Sequence, residues 1–239
     1  MALMGARVLL VDVDAQGNLA MALGVTARRT MYDVLVDHVP PADCIVTARP
    51  NLDLLPANES LLSAQPVVSR RSDWSRVLDQ EIGPLKRHYD LIFIDAPGSL
   101  TVLSVNALVA ASEVIVPTTA EPLSLRGLTL LFKQIARITV GSNVVRMIVP
   151  TMFNPRLRQS VTLLEQLRSA YGNLVANPIR MNVRLSECTA AGRTIYEYDA
   201  HSRGALDYAH LVKRLSGLWG FAPAVATQAR KPSAVAATP

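Results

Sequence analysis

Two short stretches place carboxylates where chemistry could use them. In the first, Val8-Leu-Leu-Val-Asp12-Val-Asp14-Ala-Gln-Gly17-Asn18, an apolar run delivers two aspartates and then a glycine. A strand ending this way in an open α/β sheet presents both carboxylates at its carboxyl end, where such sheets bind ligands, and Gly17 permits a tight turn beyond. An aspartate there can hold a Mg²⁺ water shell or orient an attacking water. Asp-x-Asp alone also suits a strand-end aspartate that caps the next turn. The second stretch is Tyr89-Asp90-Leu-Ile-Phe-Ile-Asp95-Ala-Pro97-Gly98-Ser99. Four apolar residues followed by Asp95 have the form of a Walker B strand, whose carboxylate binds Mg²⁺ through water in phosphoryl transfer. The Pro97-Gly98 turn would set a flexible backbone beside a γ-phosphate. Taken singly, this second pattern is common among α/β proteins.

A third feature is basic. From Thr151 to Leu215 there are nine Lys and Arg against five acids. The bland reading is solvated helix faces in an arginine-rich chain, where 20 of the 24 cations are arginine. His38, His88, His201 and His210 show neither metal-ligand spacing nor a nearby catalytic Ser or Cys pattern, and are read as surface or satisfied residues. Cys44 and Cys188 lie far apart and form no CxxC, zinc or disulfide framework, which suits a reducing compartment.

The elements that must position these residues follow from periodicity. Short apolar runs bounded by Asp, Pro or Thr alternate with segments of helical period, as in βα units of a mostly parallel sheet. Strands are predicted at Arg7 to Asp12, Leu52 to Pro56, Asp90 to Asp95, Glu113 to Pro117 and Val144 to Pro150. Helices are predicted at Asp73 to Lys86, Thr101 to Ala111, Leu123 to Ile138, Arg158 to Tyr171 and Gly204 to Leu218. In the third of these Leu125, Leu128, Phe132, Ile135 and Ile138 share a face that should pack on the sheet. The fold class is therefore α/β, a mostly parallel twisted sheet flanked by helices. One domain over 1–221 is expected, followed by a disordered Ala/Pro-rich tail at 222–239.

Composition agrees. The 239 residues are 50% hydrophobic and 18% charged, enough for one domain with a buried core and too apolar for a disordered chain. Aromatics are only 5%, so the core must be aliphatic. Every apolar run is interrupted by charge before it could span a bilayer. The net charge of +5 is compatible with phosphate or nucleic-acid contact and alone proves nothing.

In combination and order the motifs are specific. The DVDAQGN stretch, then YDLIFIDAPGSLTVLSVNALVAASEVIVPTTAEPLSLRGL, then MNVRLSECTAAGRTIYEYDAHSRGALDY, together resemble the ParA/Soj family of deviant Walker partition ATPases over roughly residues 3 to 218. That resemblance implies a P-loop NTPase-like fold, ATP and Mg²⁺ as cofactors, and a nucleotide-sandwich homodimer. It also implies nonspecific DNA binding and a ParB-like centromere-binding partner, in the cytoplasm on the nucleoid and not at a membrane. By the same resemblance Asp14 matches the aspartate that helps activate water. Asp95 matches the magnesium residue, and Asp12, Asp14, Asp95, Gly98 and Met152 line the cofactor. Gly98 stands where the family usually has proline. Arg184, Arg203, Lys213 and Arg214 are the DNA-binding candidates, although Arg184 could equally be tied to Glu187, and a core role for Met152 is as good a reading. Where the family commonly has I-P-R-N-V-R, this chain has Ile179-Arg180-Met181-Asn182-Val183-Arg184, without the proline near the expected base pocket.

The main departure concerns the phosphates. The family's K-G-G-x-G-K-T-T loop cradles them with backbone amides and lysines, whereas none of the 12 glycines here is followed by lysine. The chain therefore reads as starting inside the first βα unit, with roughly 30 residues of that unit upstream, or as a truncated, degenerate copy. As it stands it should bind ATP poorly or not at all, since amides and lysine supply most of the stabilisation of a triphosphate. The competing class is a non-catalytic, P-loop-less protein that binds DNA or a partition partner. Three neighbouring branches fit less well. MinD-like proteins need a basic amphipathic end, iron–sulfur relatives need spaced cysteines, and tyrosine kinases of this fold need a C-terminal tyrosine cluster.

Overall fold

A computed structural model describes residues 1–119, 121, 123–138 and 144–221. The tail expected at 222–239 lies outside the described residues.

The first sheet is built around β1 (Val8–Asp12), which pairs in parallel with β3 (Leu52–Leu55) on one side and β4 (Leu91–Asp95) on the other. A short antiparallel strand, β2 (Val46–Arg49), closes the far edge against β3, giving the order β2-β3-β1-β4. A second pair, β5 (Glu113–Thr119) and β6 (Val144–Thr151), is also parallel. The sheet is thus mostly parallel with helices against it, as the sequence pattern implies.

Period-two alternation explains how β1 organises the core. Leu9 and Val11, with Val13 beyond the strand, face α2 (Met31–Leu35), α3 (Leu61–Ser69), α4 (Val77–Ile82) and α5 (Val102–Ala110) in one fully buried cluster. Leu10 turns the other way, toward Leu54, Ala48 and Leu23 of α1 (Asn18–Leu23). Around β5 and β6, α6 (Leu123–Ile138) buries Leu128 and Ile135 and packs Leu125 and Phe132 against the same cluster, as its spacing predicts. The helix α7 (Arg158–Tyr171) contributes Leu163, Leu164 and Leu167. Farther on come α8 (Val183–Ala190), α9 (Ile195–Tyr198) and α10 (Arg203–Leu218).

The helix predicted over Asp73 to Lys86 is shorter than expected. Regular α-helix covers only Val77–Ile82, and Gly83–Arg87 tightens to a 3-10 turn because Gly83-Pro84 cannot continue the α pattern. Asn106 ties this region to α5. Its side chain, 1% exposed, accepts from the Leu78 N–H (3.1 Å) and donates to the Trp74 (2.8 Å) and Val102 (2.9 Å) carbonyls.

Candidate functional site

The parallel register sets Asp12 directly beside Asp95, at the carboxyl ends of β1 and β4. The Val13 N–H donates to the Asp95 carbonyl at 2.9 Å, extending the ladder one residue past the strand. Asp12 is completely buried and accepts backbone hydrogen bonds from Asp14 (3.0 Å) and Leu19 (3.4 Å). Burial pushes its carboxyl up to about 6. The two N–H donors hold it down, while the charges of Asp95 and Asp14 push it further up. Asp95 is raised as well, first by partial desolvation and then by Asp14, although its side chain still meets solvent.

Asp14 begins a turn that closes on Gly17. Its carboxylate accepts from the Gln16 N–H at 3.0 Å, and its carbonyl accepts from the Gly17 N–H at 3.0 Å. Gly17 has φ of +62°, and a Cβ there would lie 2.6 Å from the Ala57 carbonyl oxygen, so only glycine fits. Both aspartates of the DVD pattern therefore also serve as local acceptors, the capping role that the pattern alone leaves open. Gly98 differs. It lies in the exposed loop after β4, where a Cβ would meet nothing within 4 Å. That loop is pinned from the α5 side, where Thr101 and Ser104 form a capping box and the Ser104 hydroxyl donates to the Ser99 carbonyl at 2.8 Å.

Oxygen ligands of this kind suit Mg²⁺, which keeps several waters and takes one or two carboxylates. Asp95 with Asp12 or Asp14 would supply the one or two carboxylates of such a site, water completing the shell, since no three of the described His, Cys, Asp or Glu side chains come together as a metal cluster. The triphosphate does not fit in the same way. Among the described residues none of the three carboxylates pairs with a Lys or Arg. The open depression of about 570 Å³ beside Gly17 is lined by Gln16, Asn58, Glu59 and Ser60 and holds no cation. No chemical step through a nucleotide follows from these residues alone.

The other candidates lie elsewhere. Met152 follows β6 with φ of +53°, an uncommon conformation for a non-glycine residue, and is 58% exposed. A parallel bridge pairs Phe153 with Arg180, and exposed Met181, the next residue, donates its N–H to the Phe153 carbonyl at 2.9 Å. Nothing in the sequence pattern singles out Met181. Arg184 is engaged with Glu187 (2.8 Å) and Asp199 (3.6 Å), and Arg214 donates to the carbonyls of Val175 (2.8 Å) and Asn173. Arg203 and Lys213 are exposed and have no ion-pair or hydrogen-bond partner among the described residues. Arg180, where the family's usual motif has proline, makes three hydrogen bonds to the Asp207 carboxylate, one from its backbone N–H. Long-range pairs such as this one and Arg49 with Glu197 leave no signal in local spacing. All four histidines are exposed, and both cysteines are buried and free.

A mostly parallel α/β sheet with carboxylates at the ends of adjacent strands is the fold of P-loop NTPases of the ParA/MinD type. The AAA domain profile matches residues 1–145. The sporulation initiation inhibitor protein Soj of Bacillus subtilis is 36% identical over 228 residues, covering 90% of this chain and 88% of Soj. The chromosome partitioning protein ParA of Caulobacter vibrioides NA1000 is 35% identical over 221 residues, covering 88% and 83%. A solved structure of cobyrinic acid a,c-diamide synthase from Mycobacterium smegmatis, with bound ATP analogue and magnesium, superposes with a TM-score of 0.77 at 30% identity, covering 92% of this chain and 86% of that one. The chain belongs to the Soj/ParA family.

Proposed function

We propose that this chain is a partition protein that binds DNA without regard to sequence and carries the magnesium-and-water half of a nucleotide site. The observation that carries the reading is the Asp12–Asp95 register pair, with Asp14 on the adjoining turn, in a chain 36% identical to Soj. In this reading Asp95 holds the water shell of Mg²⁺, Asp14 orients the attacking water, and Asp12 fixes the turn that carries Asp14. Met152, exposed just past β6, offers an apolar contact for a base. Family membership supports dimerisation on nucleotide, a ParB-like partner and a cytoplasmic, nucleoid-associated location. Among the described residues no helix is long and apolar enough to cross a membrane.

Lys213 and Arg203, the two of the four candidates without a partner among the described residues, are the first DNA contacts, and Arg184 and Arg214 would have to leave their present partners to join them. Anisotropy titrations on two unrelated duplexes test this. Equal affinity on both, lowered by Lys213→Ala, is expected. A preference above about a hundredfold for one duplex would mean base readout and would end the assignment.

A second reading has its own support: no glycine–lysine pair occurs in the chain, and among the described residues no Lys or Arg pairs with Asp12, Asp14 or Asp95. On that reading the chain is a non-catalytic member of the family that retains DNA or a partition partner without nucleotide. DNA binding unchanged by ATP in gel-shift would favour it.

A further inference from the structure

The outer side of α3 and the turn that follows it serve neither the carboxylate site nor the C-terminal cations. The helix packs against α2 and α5 and buries Leu61, Ala64 and Val68. Its solvent side is apolar as well, where a surface helix ordinarily turns polar residues outward. Leu62 and Pro66, four residues apart, form an exposed crest that Arg70 continues at the helix end in helical conformation, and exposed Val67 flanks it. Leu62 is 61% exposed. The segment Ser69-Arg-Arg-Ser-Asp-Trp-Ser-Arg76 then folds into consecutive turns. The Arg71 N–H donates to the Val68 carbonyl (3.1 Å), the Trp74 N–H to that of Arg71 (3.2 Å) and the Arg76 N–H to that of Asp73 (2.8 Å). Asn106 fixes the Trp74 carbonyl at 2.8 Å, while Trp74 is left 39% exposed. Arg70 and Arg76 are exposed, with no side-chain partner among the described residues. Arg71 reaches Asp73 only at 3.6 Å and keeps its Nη1 without a hydrogen-bond partner. Within residues 60–76 Asp73 is the one acid against three arginines.

We propose that the crest of α3 and the turn after it dock an acidic amphipathic helix of a partner protein. Leu62, Pro66 and Val67 take the apolar stripe of that helix, and the Trp74 ring covers its far end. Arg70, Arg71 and Arg76 pair with carboxylates beside the stripe. Charge selects the partner, because a basic segment would meet three arginines, and a nucleic acid would gain nothing from the apolar crest. From Leu62 to Arg70 the crest spans about 12 Å at roughly 1.5 Å per residue, so a helix of about fourteen residues, about 21 Å long, extends beyond it toward Trp74 and Arg76. Neither nucleotide nor DNA takes part, so failure here leaves the proposed function standing.

The probe is a fluorescein-labelled synthetic helix of about fourteen residues, with leucines at i, i+3, i+4 and i+7, glutamates flanking that stripe and alanine elsewhere. Anisotropy on the unaltered chain in low salt gives the affinity, and hydrogen exchange locates the footprint. Saturable binding with Kd below about 1 mM is expected, with exchange slowed in residues 61–76. Arg70→Glu combined with Arg76→Glu should weaken binding about tenfold or more, and Leu62→Ser about fivefold, with unfolding in urea unchanged. The same peptide with lysine at every glutamate should not bind. A single-stranded oligonucleotide of similar length should leave residues 61–76 unprotected. Equal affinity for the lysine peptide, protection of residues 61–76 by the oligonucleotide, a footprint elsewhere on the chain, or no binding up to about 1 mM would each overturn the proposal.

Discussion

Replacing Asp12 by asparagine should stabilise the protein at neutral pH and destabilise it by about 1–2 kcal/mol in acid, where only the misplaced amide is felt. Asp12 is fully buried, and burial raises its carboxyl from 3.8 to about 6. Because the folded pKa lies above the unfolded one, the folded state binds the proton more tightly between these values. Stability therefore falls as pH rises through that window and is flat above it. The full rise is worth about 3 kcal/mol, at roughly 1.4 kcal/mol per pH unit. Asparagine removes that charge but sets an amide NH₂ toward the N–H of Asp14 or Leu19, returning about 1–2 kcal/mol. The net gain expected at neutral pH is about 1–2 kcal/mol. Urea unfolding of both proteins in metal-free buffer at about pH 4, 5, 6 and 7.5 checks it. A difference that does not grow between pH 4 and 6, or an Asp12→Asn protein less stable at neutral pH, would refute the reasoning.

Other substitutions separate structure from function. Gly17→Ala should cost about 2–4 kcal/mol in urea unfolding, from left-handed strain plus the contact with the Ala57 carbonyl. Asn106→Ala should cost about 3 kcal/mol by the same measurement, because the Leu78 N–H and the Trp74 carbonyl lose their buried partner. On duplex DNA, Lys213→Ala and Arg203→Ala should each flatten the slope of log affinity against log salt by about 0.9, with stability held within about 0.5 kcal/mol. Arg214→Ala should chiefly lower stability, by about 1–2 kcal/mol, since it bonds the Val175 and Asn173 carbonyls. Equal slope changes at all four candidates, Arg184 included, would contradict this division.

The strands that carry the site were legible because each is a short apolar run ending in Asp, Pro or Thr. The observed β1, β3, β4, β5 and β6 begin and end within a residue or two of the pattern. Arg158–Tyr171 matches its predicted bounds and α10 begins one residue earlier, since both faces keep a clean helical period. The antiparallel β2 and the short helices α1, α2, α8 and α9 have too few residues for periodicity to register, and α3 carries Pro66 in its interior, which reads as a helix breaker. The site's carboxylates were visible as types, but their arrangement was not. That Asp12 and Asp95 are register partners depends on which strands are neighbours, and that Gly17 is obligatory depends on Ala57, 40 residues away in sequence. Likewise Arg184 and Arg214 look like any other exposed cations until Glu187, Asp199 and the Val175 carbonyl are found beside them.

The central proposal is that this chain carries the carboxylate half of a nucleotide site without a glycine–lysine loop to hold the phosphates. Steady-state ATP hydrolysis by the purified chain in Mg²⁺ tests it most directly, with Asp14→Ala alongside. The account predicts no turnover above background in either protein. Turnover in the unaltered chain that Asp14→Ala abolishes would contradict it, because a phosphate grip would then have to exist among these residues.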